Sequence, residues 1–191
     1  TIVIPARPGA GGSKFPFTDV GRNDDCYDAV KYLYENEIMN GTSDTLFSPN
    51  AELTRGMVVT ILYRMEGEPF TLGSKSFSDV KAGRYYSEAV EWAAENGIVN
   101  GFTDGTFKPD QAVTREQLAS ILRRYASFSG IATYDSELPA NASVSNWAKK
   151  DVAWAYAEGI LTSAQTAAAV KNANRAEVAM AIYAYLTGTA R

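Results

Sequence analysis

A shift of sixty residues lays this chain on itself. FTDV (17–20) falls on FSDV (77–80), GTSDTLFSPN (41–50) on GFTDGTFKPD (101–110), LTR (53–55) on VTR (113–115) and ILYR (61–64) on ILRR (121–124). A third, weaker copy follows, in which VAWAYAEGI (152–160) matches VEWAAENGI (90–98) and NRAEVAMAIYAYL (174–186) matches TREQLASILRRYA (114–126). Arg55, Arg115 and Arg175 keep the register throughout. The third copy replaces the Asp-Gly, Phe and Pro-Asp loop by TSAQTAAAVKNA (162–173). A unit that recurs in this way buries its apolar face against its neighbours, not alone.

Each unit reads as helix, structured loop, helix. The first helices are expected over Cys26–Met39, Tyr85–Val99 and Trp147–Leu161. The second start at each Thr/Asn-Arg step and run about thirteen residues, a length set by their stripes. Val58, Ile61, Leu62 and Met65 recur as Leu118, Ile121, Leu122 and Tyr125, then as Val178, Ala181, Ile182 and Tyr185, at the i, i+3, i+4, i+7 spacing of one helix face. Apart from an N-terminal TIVI run, little reads as strand. The expected fold is all-α, three helix–loop–helix repeats in a pseudo-threefold arrangement around a central helical bundle. Modules are expected at 17–69, 77–128 and 138–187, with Gly/Ser-rich linkers between them and residues 1–16 as a tether from an upstream segment.

Composition narrows the chemistry. The 191 residues contain no histidine and one cysteine, Cys26. This removes Ser-His and Cys-His nucleophile pairs, an internal disulfide and cysteine-based zinc sites. A net charge of −4 argues against a duplex nucleic-acid binder, and no run is long enough to span a membrane. No export signal is visible, so one is expected on a longer precursor. The loop NGFTDGTFKPDQ (100–111) fails as a calcium site: with Gly105 at position 6 of an EF-hand loop, Phe102 occupies position 3 and Gln111 position 12. Asp104-Gly105 reads instead as a turn, with Phe47 and Phe107 buried beneath their respective loops. Asp19 and Asp79 read as helix caps, not as a catalytic acid pair. Neither metal nor cofactor is expected.

Thr54, Thr114 and Asn174 are N-cap residues. Gln117 and Glu177 complete a capping box, and Met57 does not. The arginine after each cap is not required by the cap, and the helix dipole disfavours a cation there. Two readings follow. Each arginine pairs with an acid and staples neighbouring repeats, or each sits beside free backbone N–H groups in a pocket for a carboxylate. Among the aromatics of the first helices, Trp92, Trp154, Tyr32, Tyr85 and Trp147, most are expected in the core and some at a groove edge.

F-[ST]-D-V, a helix ending in [EN]-x-G-I-[VL], G-x-x-D-G-T-F-x-P and [LV]-T-R-x-[EQ] together resemble the S-layer homology domain family, over about residues 17–187. The resemblance implies an extracellular, non-covalent anchor on Gram-positive-type cell walls. Its implied partner is an anionic secondary cell-wall polysaccharide, often bearing a pyruvate ketal on N-acetylmannosamine, bound in grooves between modules. The family's Thr-Arg-Ala-Glu motif contributes an arginine to the ketal carboxylate, which maps to Arg55, Arg115 and Arg175. The expected ligand set adds Thr54, Thr114, Gln117, Glu177, Gly101 and Trp92. The eroded loop before Arg175 implies at most two competent grooves, those of Arg55 and Arg115, and Arg115→Ala is expected to weaken wall binding with little loss of stability. The resemblance implies no catalytic function, no membrane insertion and a monomer. The alternative is a helical protein–protein scaffold at the cell surface, with structural arginines.

Overall fold

A computed structural model describes residues 15–188. The tether expected over 1–16, with its TIVI run, lies almost wholly outside the described residues. The helices are α1 (Tyr27–Glu35), α2 (Arg55–Met65), α3 (Ser87–Glu95), α4 (Arg115–Phe128), α5 (Lys149–Ala157), α6 (Ser163–Thr166) and α7 (Arg175–Thr187), with a 3₁₀ turn at Asn146–Ala148 before α5. No strand occurs among the described residues, and the fold is all-α.

The second helix of each repeat starts where its cap dictates. The Thr54, Thr114 and Asn174 side chains accept hydrogen bonds from the N–H groups of Met57, Gln117 and Glu177. The reciprocal half of the box is present at Gln117 and Glu177. Each such cap is worth roughly 1 kcal/mol over alanine.

The first helices are shorter than expected, nine residues each. A left-handed residue ends each of them: Glu37 at φ 58°, Gly97 at 71° and Gly159 at 68°. Beyond it the N–H groups of Ile38, Ile98 and Ile160 reach back to the carbonyls of Leu33, Ala93 and Ala155. These are reverse-turn closures that satisfy the terminal carbonyls and fold the following isoleucine inward. Ile38, Ile98 and Ile160 are accordingly buried.

One hydrophobic cluster runs through all three repeats, with Leu33, Val90 and Val152 from the first helices meeting Leu62, Leu122 and Ile182 from the second. The pairing of helices is cyclic. The second helix of each repeat packs on the first helix of the next, α2 on α3, α4 on α5, and α7 on α1. The segments entering the second helices follow the same order. Val113 N–H donates to the Leu53 carbonyl (2.9 Å), Ala173 N–H to Val113 (2.8 Å), and Leu53 N–H to Ala173 (3.3 Å). Three backbone hydrogen bonds thus close a ring through residues sixty apart. At the other end of these helices the Tyr125 hydroxyl donates to Glu66 at 2.6 Å, and its ring meets that of Tyr185 with 5.5 Å between centroids. Burial and the neighbouring Glu66 carboxylate push the Tyr125 phenol well above its usual range, so the hydroxyl keeps its proton and remains a donor.

Candidate ligand-binding grooves between repeats

The ring determines what happens at each helix start. The N–H groups of Arg55 and Gly56 donate to the carbonyls of Gln111 and Pro109; those of Arg115 and Glu116 to Lys171 and Ala169; those of Arg175 and Ala176 to Ala51 and Pro49. The free backbone N–H groups expected beside each arginine are therefore absent. The loop of the next repeat already caps them, because an uncapped helix start this close to the core would carry an unsatisfied donor. Any anion here must be held by side chains.

The same offset corrects how arginines and loops are matched. Chain order pairs each arginine with the loop before it, but the fold places it against the loop of the following repeat. Arg55 lies on the loop of repeat two. Its Nε donates to the Phe107 carbonyl at 2.8 Å, and its guanidinium carbon stands 4.6 and 4.8 Å from the ring centroids of Phe107 and Phe102. Arg175 lies on the loop of repeat one. Its Nε donates to the Phe47 carbonyl (2.7 Å), its Nη2 to the Asn40 carbonyl (2.6 Å), and its guanidinium covers the Phe47 ring at 4.5 Å. Arg115 alone faces the diverged loop of repeat three. There Nη2 meets Glu177 Oε1 at 2.7 Å, Nε donates to both Glu177 oxygens, and Nη1 donates to the Ala168 carbonyl. The groove expected at Arg115 is filled by this ion pair, and Arg175, expected beside an eroded loop, has an intact one.

Two carboxylates missed as site components hold the intact loops. Asp79 accepts from the N–H groups of Phe107 (2.8 Å) and Lys108 (2.7 Å), and Asp19 accepts identically from Phe47 (2.8 Å) and Ser48 (2.7 Å). They clamp loops instead of capping helices. Lys108 and Ser48 are left-handed, each with φ 58°, so the clamp secures a turn that side chains at those positions resist. The Phe107–Lys108 peptide therefore links Asp79, through the Lys108 N–H, to Arg55, through the Phe107 carbonyl. Asp79→Ala is expected to loosen this carbonyl and to weaken any anion binding at Arg55 about tenfold, the worth of one hydrogen bond to a charged group, with the groove of Arg175 unaffected. Titration of the variant beside Asp19→Ala checks this.

Around Arg55 is a groove of about 240 Å³, walled by Gly101, Phe102, Gln117, Ser120, Arg124 and Trp147. Around Arg175 is one of about 220 Å³, walled by Asn40, Gly41, Met57, Thr60, Arg64 and Tyr85. The walls largely correspond, with Arg64 in the register of Arg124 and Thr60 in that of Ser120, whereas Phe102 has no counterpart among the walls of the Arg175 groove. Trp147 and Tyr85 are equivalent through the two-residue shift of the third repeat and are both about half exposed. Arg64, Arg124, Asn40 and Thr60 were missed from sequence. The one available signal was the sixty-residue recurrence of an arginine nine positions after the Thr-Arg arginine. In repeat three that position is Ala184, and Asp25 of repeat one occupies the place of Tyr85.

Neither Arg55 nor Arg175 makes an ion pair among the described residues. Burial lowers the Arg55 pKa to about 10, with Asp79 opposing the shift and Arg124 adding to it. Burial also lowers that of Arg175, opposed by Asp19. Each guanidinium is thus largely buried, with a carboxylate near enough to act on its charge but not in ion-pair contact, so it retains capacity for a further anionic partner.

The remaining expected ligand residues divide. Gly101 and Gln117 line the Arg55 groove. Thr54 and Thr114 act as helix caps, and Glu177 is committed to its cap and to Arg115. Trp92 is corrected: it is 3% exposed, packed between Tyr63, Tyr125 and Phe128. It faces the core because α3 turns that side toward α2, leaving Tyr85, just before the helix, at the groove.

The sequence model of the S-layer homology domain matches residues 16–56 and 76–119. The amylopullulanase of Thermoanaerobacterium thermosulfurigenes is 32% identical over 83% of this chain and 9% of its own length. The chain belongs to the S-layer homology family. The surface-layer 125 kDa protein of Lysinibacillus sphaericus is 29% identical over 72% of the chain and 12% of its own length, and the cellulosome-anchoring protein of Acetivibrio thermocellus 25% over 70% and 30%. The chain spans about a tenth of the length of the first curated relatives it matches, so their enzyme names belong to other parts of longer proteins. S-layer homology modules are cell-wall anchoring units, and membership places this chain outside the cell at the cell surface. No helix among the described residues is long and apolar enough to cross a membrane.

Proposed function

We propose that this S-layer homology unit holds its parent protein on the cell wall by binding an anionic secondary cell-wall polysaccharide, of the pyruvate-ketal type, in the two grooves built around Arg55 and Arg175. The observation that carries this reading is the pair of largely buried guanidiniums, each without an ion-pair partner among the described residues. A second arginine and a half-exposed aromatic ring lie across each groove. A ketal carboxylate satisfies the guanidinium, and the apolar face of the pyranose lies on Trp147 or Tyr85. Two sites on one chain, facing a polymer that repeats its epitope, multiply a modest affinity per site into stable retention.

Arg115 supports the other reading, a structural staple, but only for itself. Its bidentate contact with Glu177 joins repeats two and three and, with the Ala168 carbonyl, takes up the guanidinium donors that an anion would need.

The test is co-sedimentation with purified sacculi, before and after removal of the secondary polymer or of its pyruvate. Binding is expected to be lost on either treatment. Equal retention on stripped sacculi, or retention only through a co-purified surface protein, would replace the glycan reading with a protein scaffold.

A further inference from the structure

The Arg175 groove does not end at Tyr85. Thr60, Arg64 and Tyr85 also wall a second chamber of about 360 Å³, larger than the groove itself, which opens along the seam between α2 and α3. Its far side carries Tyr63, Glu68, Arg84 and Glu88. From this continuity we propose that the chamber is a second saccharide subsite. It would take a neutral, hydroxyl-bearing sugar residue next to the anionic one held at Arg175. The inference rests on the glycan reading above and extends it from one sugar to two.

The chemistry of the walls selects a neutral residue. Arg64 and Arg84 are matched in number by Glu68 and Glu88, so a second carboxylate gains no net attraction. Vicinal hydroxyls, by contrast, meet both donors and acceptors. The carboxylates retain capacity for this: Glu88 accepts one long bond from the Tyr63 hydroxyl (3.4 Å), and Glu68 stands 3.9 Å from Arg64 Nε. Ion pairs this long are mostly solvated and yield readily to a ligand. Tyr85, shared by groove and chamber, offers an aromatic surface at the junction where the two sugars would be linked.

The corresponding place beside the Arg55 groove is built differently. Arg123 occupies the register of Tyr63, and its guanidinium is tied to Asp151 and Asp135, each at 3.2 Å, with Lys150 2.8 Å from Asp135. This salt-bridge network joins α4, the linker and α5 across the seam that the chamber opens in the other junction. The two grooves therefore differ in reach: one sugar at Arg55, two at Arg175.

Two probes separate them: the methyl glycoside of pyruvate-ketal N-acetylmannosamine, and the same residue linked to a neutral N-acetylhexosamine. Trp147 lies in the Arg55 groove and is the half-exposed tryptophan, whereas Trp92 and Trp154 are buried in the core. Its fluorescence thus reports that groove, while calorimetry on the same chain reports both. The disaccharide is expected to bind the Arg175 groove about tenfold more tightly than the monosaccharide, with the two equal, within threefold, at Trp147. The exposed substitutions Arg84→Ala and Glu88→Gln are expected to erase the disaccharide advantage and leave monosaccharide affinity unchanged. An equal preference at both grooves, or an Arg84→Ala loss shared by both probes, overturns the second subsite while the glycan reading stands. Failure of the monosaccharide to bind at all overturns both.

Discussion

Replacing Arg55 and Arg175 together by alanine is expected to abolish retention on intact sacculi, whereas Arg115→Ala is expected to leave retention near wild type and to lower stability instead. The first outcome follows from what each arginine faces. Arg55 and Arg175 each present a buried guanidinium to a groove, and a charge-assisted contact of this kind is worth about 1.5–3 kcal/mol. Either single variant should thus lose roughly ten- to a hundredfold in affinity at its own groove, and the loss of avidity adds to this on a polymer. Arg115 is already bound. Removing it leaves Glu177, only 14% exposed at its side chain, without its counter-charge, at a cost of about 1.5–3 kcal/mol in folding free energy. Sedimentation together with urea denaturation of the three variants checks the contrast. Loss of retention in Arg115→Ala with its denaturation midpoint unchanged would show that the ion pair opens for ligand. The sequence alone leads to the opposite assignment of Arg115 and Arg175, so the experiment also tests the cyclic offset.

Gly101→Ala is expected to be among the most destabilising single substitutions in the chain, and Gly105→Ala, four residues on, comparatively mild. Both glycines are left-handed, at φ 68° and 79°. A methyl group at Gly101 would lie 2.3 Å from Phe77 Cε1 and 2.8 Å from the Thr106 carbonyl oxygen, whereas one at Gly105 meets nothing within 4 Å. The first combines a left-handed penalty with overpacking, about 2–5 kcal/mol together, and the second carries the backbone penalty alone, about 1–2 kcal/mol. Gly41 repeats the overpacking in repeat one, with Phe17 Cε1 at 2.4 Å, but not the left-handed backbone. Because Gly101 lines the Arg55 groove, Gly101→Ala should also weaken the ligand-dependent change in Trp147 fluorescence, while Gly105→Ala should not. Equal midpoints for the two variants would mean that the Phe77 ring moves aside without cost.

Much of this molecule is local and was therefore legible. The caps at Thr54, Thr114 and Asn174, the apolar stripes behind them and the burial of Phe47 and Phe107 depend on residues within a turn or two of each other. Repetition of the pattern three times separated signal from chance. The first helices came out too long because their ends are determined by one left-handed residue, and Glu37 in that role carries no turn signature. Asp19 and Asp79 were misread because a carboxylate clamping two N–H groups 28 and 29 residues away leaves the same local trace as a helix cap.

The sequence by itself determined that there are three units, that they are helical, and that an arginine stands at the start of each second helix. Only the tertiary structure decided what each arginine faces, because the ring of backbone hydrogen bonds joins every repeat to the next and not to itself. Arg55 inherits the loop of repeat two, Arg175 that of repeat one, and Arg115 the diverged loop of repeat three with Glu177. A groove assembled from consecutive repeats depends on residues far apart in the chain. Its chemistry follows from which units become neighbours, and neither caps nor helical stripes encode that order.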